Sequence, residues 1–113
     1  MKVKIIERYE AVILELKGNV MGGPEAVEFS DSLKKLISEG KKNIILDLSE
    51  VKFMNSSGLG MMISGLTTVK KEGAFLKLAC VAEKIQSLLM ITKLITIFET
   101  YDTIDDAIKS FAK

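Results

Sequence analysis

The chain contains no histidine and only one cysteine, Cys80, among its 113 residues. The absence of histidine removes the commonest general base of enzymes and the commonest neutral metal ligand. A lone cysteine cannot form a disulfide within the chain, which fits a reducing compartment. Without histidine it also cannot complete a zinc site of the usual kinds. The composition therefore predicts a protein with no metal site, and no cofactor is expected.

The chain also lacks an excess of charge of either sign and a long apolar run. Sixteen basic and fifteen acidic side chains leave a formal charge of +1, which gives no reason to expect nucleic acid or an anionic membrane as the partner. The longest charge-free stretch, residues 53–69, contains three glycines and is too short and too polar to span a bilayer. Charged residues interrupt the N-terminal segment too often for a signal peptide. We therefore expect a cytoplasmic protein without membrane insertion.

No linker, repeat or low-complexity block divides the sequence, which predicts a single domain over residues 1–113. Alternating apolar residues predict two strands, 2–8 and 11–17, joined tightly at Tyr9-Glu10 and therefore antiparallel. Repeated βα units after them imply parallel pairing with right-handed crossovers. The predicted fold is α/β, of order ββαβαβαβα, with a mixed, mostly parallel sheet covered by helices. The later elements are predicted as a helix from 24 to about 39, a strand 43–48, a helix 57–72, a strand 75–80, a helix 82–90, a short strand 95–98 and a helix after 103.

The segment 52–64 follows a predicted buried strand and opens the second helix, at the edge of a parallel sheet where functional groups usually lie. Ser56 or Ser57 at this point first of all predicts a helix cap. Gly58 and Gly60 each cost roughly 1 kcal/mol relative to alanine within a helix. We interpret them as leaving the backbone open to close approach by another molecule. The positive end of the helix would also tolerate a phosphate on Ser56.

The second predicted helix lacks the charges that a solvated face normally carries. No residue from 56 to 69 is charged, although an apolar stripe already supplies an inward face; its members are Leu59, Met62, Ile63, Leu66 and Val69. An opposite face of small residues with a flexible methionine is typical of a partner-binding surface. The alternative is a helix buried on both sides within the monomer. The residues of the predicted partner face are Ser57, Met61, Gly65 and Thr68.

Several catalytic functions are disfavoured because the residues they require are missing from the sequence. Gly58 and Gly60 begin like a dinucleotide fingerprint, but Ile63 occupies the place of the third glycine. No Walker-type phosphate loop is present, and a serine nucleophile would have no histidine base. Cys80 has no basic neighbour in sequence and is predicted to be a buried small hydrophobe. Asp47 is predicted to be a structural carboxylate bonded to nearby backbone N–H groups. A hydrolase or a nucleotide-using enzyme is therefore the least favoured class.

Two blocks carry a resemblance to a known family. The segments ILDLS (45–49) with Val51, and FMNSSGLG (53–60), resemble the signature of the STAS family, which usually reads LDLS-x-V-x-x-M-D-S-S-G-L-G. Gly18, the segment EGAFL (72–76) and the element order extend the resemblance over essentially the whole chain. It implies an anti-sigma factor antagonist, which binds a partner that is both serine kinase and anti-sigma factor. It maps the phospho-acceptor to Ser56, and a serine phosphatase would be a second partner.

Two departures from that signature remove negative charge near the phospho-acceptor. Asn55 stands where the family has aspartate, and Met21 stands where an acidic residue is common after the second strand. An alternative is therefore a STAS interaction module that is never phosphorylated and docks onto a transporter or a signalling scaffold. In either case the binding surface is predicted to contain a common set of residues, namely Asn55, Ser57, Gly58, Gly60, Met61, Gly65 and Thr68.

Overall fold

The computed structural model describes residues 1–8 and 10–112, so the predicted connection at Tyr9 lies outside the described residues. The strands are β1 (Lys2–Arg8), β2 (Ala11–Val20), β3 (Asn43–Met54), β4 (Phe75–Ala79) and β5 (Thr100–Tyr101). The helices are α1 (Pro24–Ser38), α2 (Ser56–Lys71), α3 (Glu83–Ile91) and α4 (Ile104–Lys109). A short 3-10 turn, Leu94–Thr96, precedes β5. The predicted element order is confirmed.

The five strands form one sheet in the order β1-β2-β3-β4-β5. β1 is antiparallel to β2, and the remaining neighbours are parallel. Each parallel connection contains a helix, since a parallel pair needs a crossover long enough to return to the same end of the sheet. The carboxyl ends of β2 and β3 therefore meet at one edge, where Val20 pairs with Met54. The predicted mixed, mostly parallel sheet is confirmed.

The two faces of the sheet are covered unequally. The larger core cluster joins one sheet face to α1, α2 and α3 through buried residues such as Phe29, Met62 and Leu89. The smaller cluster joins the other face to the short helix α4 through Ala107 and its neighbours. The Thr103 hydroxyl caps α4 by accepting a hydrogen bond from the Asp106 N–H at 3.0 Å, as the sequence predicts.

The larger differences from the prediction concern β2, β3 and the segment before β5. β2 continues to Val20 instead of ending at Lys17. β3 continues to Met54 instead of ending at Leu48, because Val51 and Met54 remain buried while the chain still pairs with the end of β2. The predicted strand 95–98 is wrong. Lys93, with a φ of 64°, ends α3, and the following residues form the 3-10 turn. Phe98, two residues after this turn, is buried in the larger core cluster.

None of the helices within the described part of the chain is long and apolar enough to cross a bilayer.

Candidate functional site

The candidate site lies at the connection between β3 and α2, at the carboxyl end of β3. Asn55 is extended, with φ −96° and ψ −177°, and its Oδ1 accepts a hydrogen bond from the Gly58 N–H at 2.7 Å. The Asn55 N–H in turn donates to the Val20 carbonyl at 3.3 Å, which ties the turn to the end of β2. Asn55 is therefore the helix cap. The prediction that Ser56 or Ser57 has this role is wrong, because the helix begins one residue earlier.

Both serines are thereby left free of the capping role. Ser56 and Ser57 are the first two residues of α2, and both are exposed. The first N–H groups of a helix have no partner within it, and the helix dipole places partial positive charge at this end. The first turn carries no acidic residue. The exposed Ser56 hydroxyl thus lies at a position whose field favours an added anion.

The two glycines of the first turn have opposite surroundings. A Cβ at Gly58 would lie 2.0 Å from the Val20 carbonyl oxygen, whereas a Cβ at Gly60 would meet nothing within 4 Å. Gly58 is buried and Gly60 is exposed. Gly58 therefore allows close approach of the chain's own β2 strand, which corrects the prediction that it is open to another molecule. Gly60 alone leaves the helix backbone accessible from outside.

A third glycine brings the loop after β2 against the serines. Gly22 is buried with a φ of 77°, a backbone conformation that favours glycine. A Cβ at this position would lie 2.8 Å from the Ser57 Cβ. The β2–α1 loop therefore lies directly beside the start of α2, and Met21 belongs to the surface around the serines.

The predicted partner face of α2 is wrong for most of its members. Met61 is only 3% exposed, and a Cβ at Gly65 would lie 2.7 Å from the Phe29 ring. Thr68 is half-buried. The physical reason is that α1 packs against this side of α2, so the helix is buried on two sides within the monomer. This is the alternative that the sequence left open.

The exposed face of α2 lies one residue, about 100°, away from the predicted one. It starts at Ser56 and continues along the helix at spacings of three or four, through Gly60, Ser64 and Thr67, all of which are exposed. The absence of charge that suggested a partner surface therefore persists on this face. We call these four residues the α2 strip.

Two exposed apolar side chains lie near the carboxyl ends of β2 and β3, at the end of the sheet where α2 begins. Met21 is 44% exposed and Phe53 is 51% exposed. Phe53 lies near the end of β3, in register with Asn19 near the end of β2. Phe53 and Met21 are therefore at the same end of the sheet as Ser56. Phe53 is not among the site residues predicted from the sequence. Its signal in the sequence was an aromatic residue that opens the block FMNSSGLG (53–60), which carries the family resemblance.

The other polar groups considered from sequence have structural roles or surroundings that do not favour reactivity. Asp47 Oδ1 accepts a hydrogen bond from the Ser49 N–H at 2.9 Å, as predicted. Cys80 is half-buried, and burial raises the pKa of its thiol, with the nearby Asp47 carboxylate raising it further. A raised pKa keeps the thiol protonated near neutral pH. Within residues 1–8 and 10–112, no cluster of three or more acidic or cysteine side chains could hold a metal ion.

With this geometry established, comparison with known proteins identifies what the chain resembles. The family model described as STAS domain matches residues 2–107. A relative from Thermotoga neapolitana, named "Putative anti-sigma factor antagonist TM1081 homolog", is 33% identical over 75 residues, which make up 66% of this chain and 66% of the relative.

Solved structures share the fold over nearly the whole chain. The crystal structure of TM1081 from Thermotoga maritima superposes with a TM-score of 0.82 at 27% identity and covers 99% of this chain and 94% of that one. The Bacillus cell fate determinant SpoIIAA in its phosphorylated form superposes with a TM-score of 0.72 at 17% identity and covers 97% and 99%. At 17% identity the second likeness concerns the fold alone.

Proposed function

The chain belongs to the STAS family, and on that premise we propose that it is an anti-sigma factor antagonist controlled by phosphorylation of Ser56. Unphosphorylated, it binds a partner that is both serine kinase and anti-sigma factor. A serine phosphatase would restore this form. We further propose that residues 1–113 act as a single, non-catalytic, cytoplasmic domain.

The observation that carries the proposal is the position of the Ser56 hydroxyl. It is exposed on the first residue of α2, while the neighbouring Asn55 takes over the capping bond. A kinase can therefore reach the hydroxyl without breaking a hydrogen bond that starts the helix. Phosphorylation adds about −1.5 to −2 charges at pH 7, and the helix end favours that charge. We expect the phosphorylated monomer to remain folded.

The same charge should act against the partner. Ser56 begins the uncharged α2 strip, and two apolar residues, Met21 and Phe53, are exposed near the same ends of β2 and β3. A partner docked on this surface would have to desolvate the phosphate or meet it with carboxylates of its own. Unfavourable charge contacts of this kind cost several kcal/mol at an interface, which lowers affinity by two or more decades. Phosphorylation would thus release the partner.

The departures from the family signature predict the chemistry of the partner surface. With Asn55 and Met21 in place of acidic residues, the neighbourhood of Ser56 offers apolar and neutral contacts. We therefore expect the cognate partner to present an apolar patch here. Phe53→Ala should weaken its binding by about 1 kcal/mol or more, without loss of stability because Phe53 is half-exposed. Calorimetric titration, with Val27→Ala as an exposed apolar control on α1, would test this.

The switch itself is tested by titrating the kinase partner with wild type, Ser56→Ala and Ser56→Asp, with circular dichroism recorded for each. Ser56→Ala should bind as wild type, and Ser56→Asp should bind more weakly while remaining folded. Equal affinities for all three would contradict the switch and leave the unphosphorylated docking module as the better proposal.

Kinase assays with phosphate mapping by mass spectrometry separate the two serines. Ser57→Ala should still accept phosphate and Ser56→Ala should not. Asn55→Asp, which restores the usual motif, should raise the rate of phosphorylation. Phosphate found on Ser57 of the wild-type protein would contradict the proposal that Ser56 is the phospho-acceptor.

A further inference from the structure

A groove separate from Ser56 lies on the face of the sheet that α4 covers, at the amino ends of β3 and β4. The groove has a volume of about 560 Å³ and opens between the first residues of β3 and β4, β5 and the end of α4. This volume is in the range of small-molecule sites. Three aromatic side chains line it, Phe75, Tyr101 and Phe111. Phe75 is 57% exposed, which leaves an aromatic surface facing solvent.

Lys77 forms the inner wall of this groove and is the one buried charged residue in the described part of the chain. Strand alternation explains its orientation. Its neighbours Leu76 and Leu78 face the large core, so Lys77 faces the α4 side with its β3 partner Ile45. Burying an ammonium group costs free energy that an aliphatic residue would not. A purely structural role at this position would be served by leucine or methionine.

The contacts of the Lys77 ammonium leave hydrogen-bonding capacity toward the groove. It has three N–H donors. Ser110 Oγ accepts one at 2.8 Å. Glu99, which also lines the groove, forms an ion pair with the ammonium at 3.7 Å, longer than a hydrogen bond, through a side chain that is 63% exposed. The Phe111 ring centroid lies 4.2 Å from Nζ, and the Tyr101 ring lies 5.5 Å away. The rings stabilise the charge but do not replace a directed acceptor.

We propose that this groove binds a small aromatic carboxylate, with the carboxylate on Lys77 Nζ and the ring against Phe75 and Phe111. A buried cation beside an exposed aromatic surface matches the two parts of such a ligand. Phe75 and Phe111 already contact each other edge to face at a centroid distance of 6.4 Å, and a third ring can extend that packing. The groove does not include Ser56, so this inference does not depend on the phosphorylation switch.

The proposal is tested with the matched probes indoleacetate and indoleacetamide, which differ in charge and hardly in shape. Amide chemical shifts would be followed by NMR in wild type, Lys77→Met and Lys34→Met, the last being an exposed lysine of α1 as control. Wild type and Lys34→Met should bind the carboxylate roughly tenfold more tightly than the amide, the contribution of a hydrogen bond to a charged group. Lys77→Met should lose this preference. Glu99→Gln should strengthen carboxylate binding, because it removes the competing charge.

If Lys77→Met does not fold, the variant Phe75→Ala still tests whether the probes bind in this groove. Phe75 is exposed enough for its loss to leave the fold intact, and both probes should bind this variant more weakly. Failure of wild type to bind indoleacetate up to its solubility limit would overturn the proposal. So would equal affinity for the two probes, a preference retained in Lys77→Met, or unchanged binding by Phe75→Ala.

Discussion

At the scale of single residues, the first turn of α2 places two glycines in opposite steric environments. At Gly58 a side chain would collide with the Val20 carbonyl, and at Gly60 it would extend into open space. Both glycines have the same intrinsic cost in a helix, so their stability effects should differ only through these surroundings. The pair therefore separates a packing requirement from an accessible backbone.

Gly58→Ala should destabilise the protein by roughly 1–3 kcal/mol or more, because the overlap is with backbone and cannot be relieved by a rotamer change. Gly60→Ala should stabilise it by about 0.5–1 kcal/mol through helix propensity and the unfolded state. Urea denaturation of both variants measures the difference. Equal effects of the two substitutions would contradict the described contact between α2 and β2.

Asn55 is the second residue whose role can be isolated. Asn55→Ala should cost about 1 kcal/mol, since it removes the oxygen that accepts the Gly58 N–H. Asn55→Asp keeps that acceptor and adds a negative charge at the helix start, worth about 0.3–1 kcal/mol. Thermal or chemical unfolding at neutral pH should therefore rank Asp at or above wild type and Ala below it. An alanine variant as stable as wild type would show that the cap contributes nothing.

At the scale of elements, the contact between α1 and α2 decides which face of α2 is available. Gly65 admits the Phe29 ring of α1, and Met61, one helical turn before Gly65, is buried in the same core cluster as Phe29. The α2 strip is what this packing leaves exposed. A surface substitution on the strip and a substitution one helix position away should therefore have very different consequences.

Met61→Glu should destabilise the protein by about 3 kcal/mol or more, because it places an unpaired charge in the core. Ser64→Glu, on the α2 strip, should change stability by no more than about 0.5 kcal/mol. Denaturant midpoints of the two variants give the comparison. If Met61→Glu unfolded at the wild-type denaturant concentration, α1 would not cover this side of α2.

At the scale of the whole molecule, the sheet separates two regions of unequal packing. β2 and β3 lie in the interior of the sheet beneath three helices, and Leu14 and Leu46 are fully buried. The edge strand β5 has only two residues, and α4 has six. The proposed partner surface around Ser56 lies at the carboxyl ends of the strands, whereas the groove at Lys77 opens at the first residues of β3 and β4.

Native-state hydrogen exchange should follow this division. The amides of β2 and β3 should exchange slowest, near the global unfolding free energy, while those of α4 and β5 should open at a lower cost. Mass spectrometry of exchanged peptides would measure both. If the amides of α4 were protected as strongly as those of β3, α4 and β5 would unfold only together with the rest of the domain.

The sequence by itself determined the element order, the antiparallel start of the sheet and the cap of α4. These follow from local patterns: alternation in β1 and β2, helical spacing in α1 and the threonine before α4. Local patterns also located the start of α2, where Ser56 lies. The fold was therefore predictable wherever a residue's neighbours along the chain decide its conformation.

Only the tertiary structure decided which side of α2 is exposed and which glycine is structural. An uncharged helix can be buried on one side or two, and the choice depends on α1, which contacts it across a long sequence separation. The same applies to Gly58, whose requirement comes from Val20, and to Lys77, whose burial depends on the chain after α4. Spatial packing, which has no local signature, sets all three.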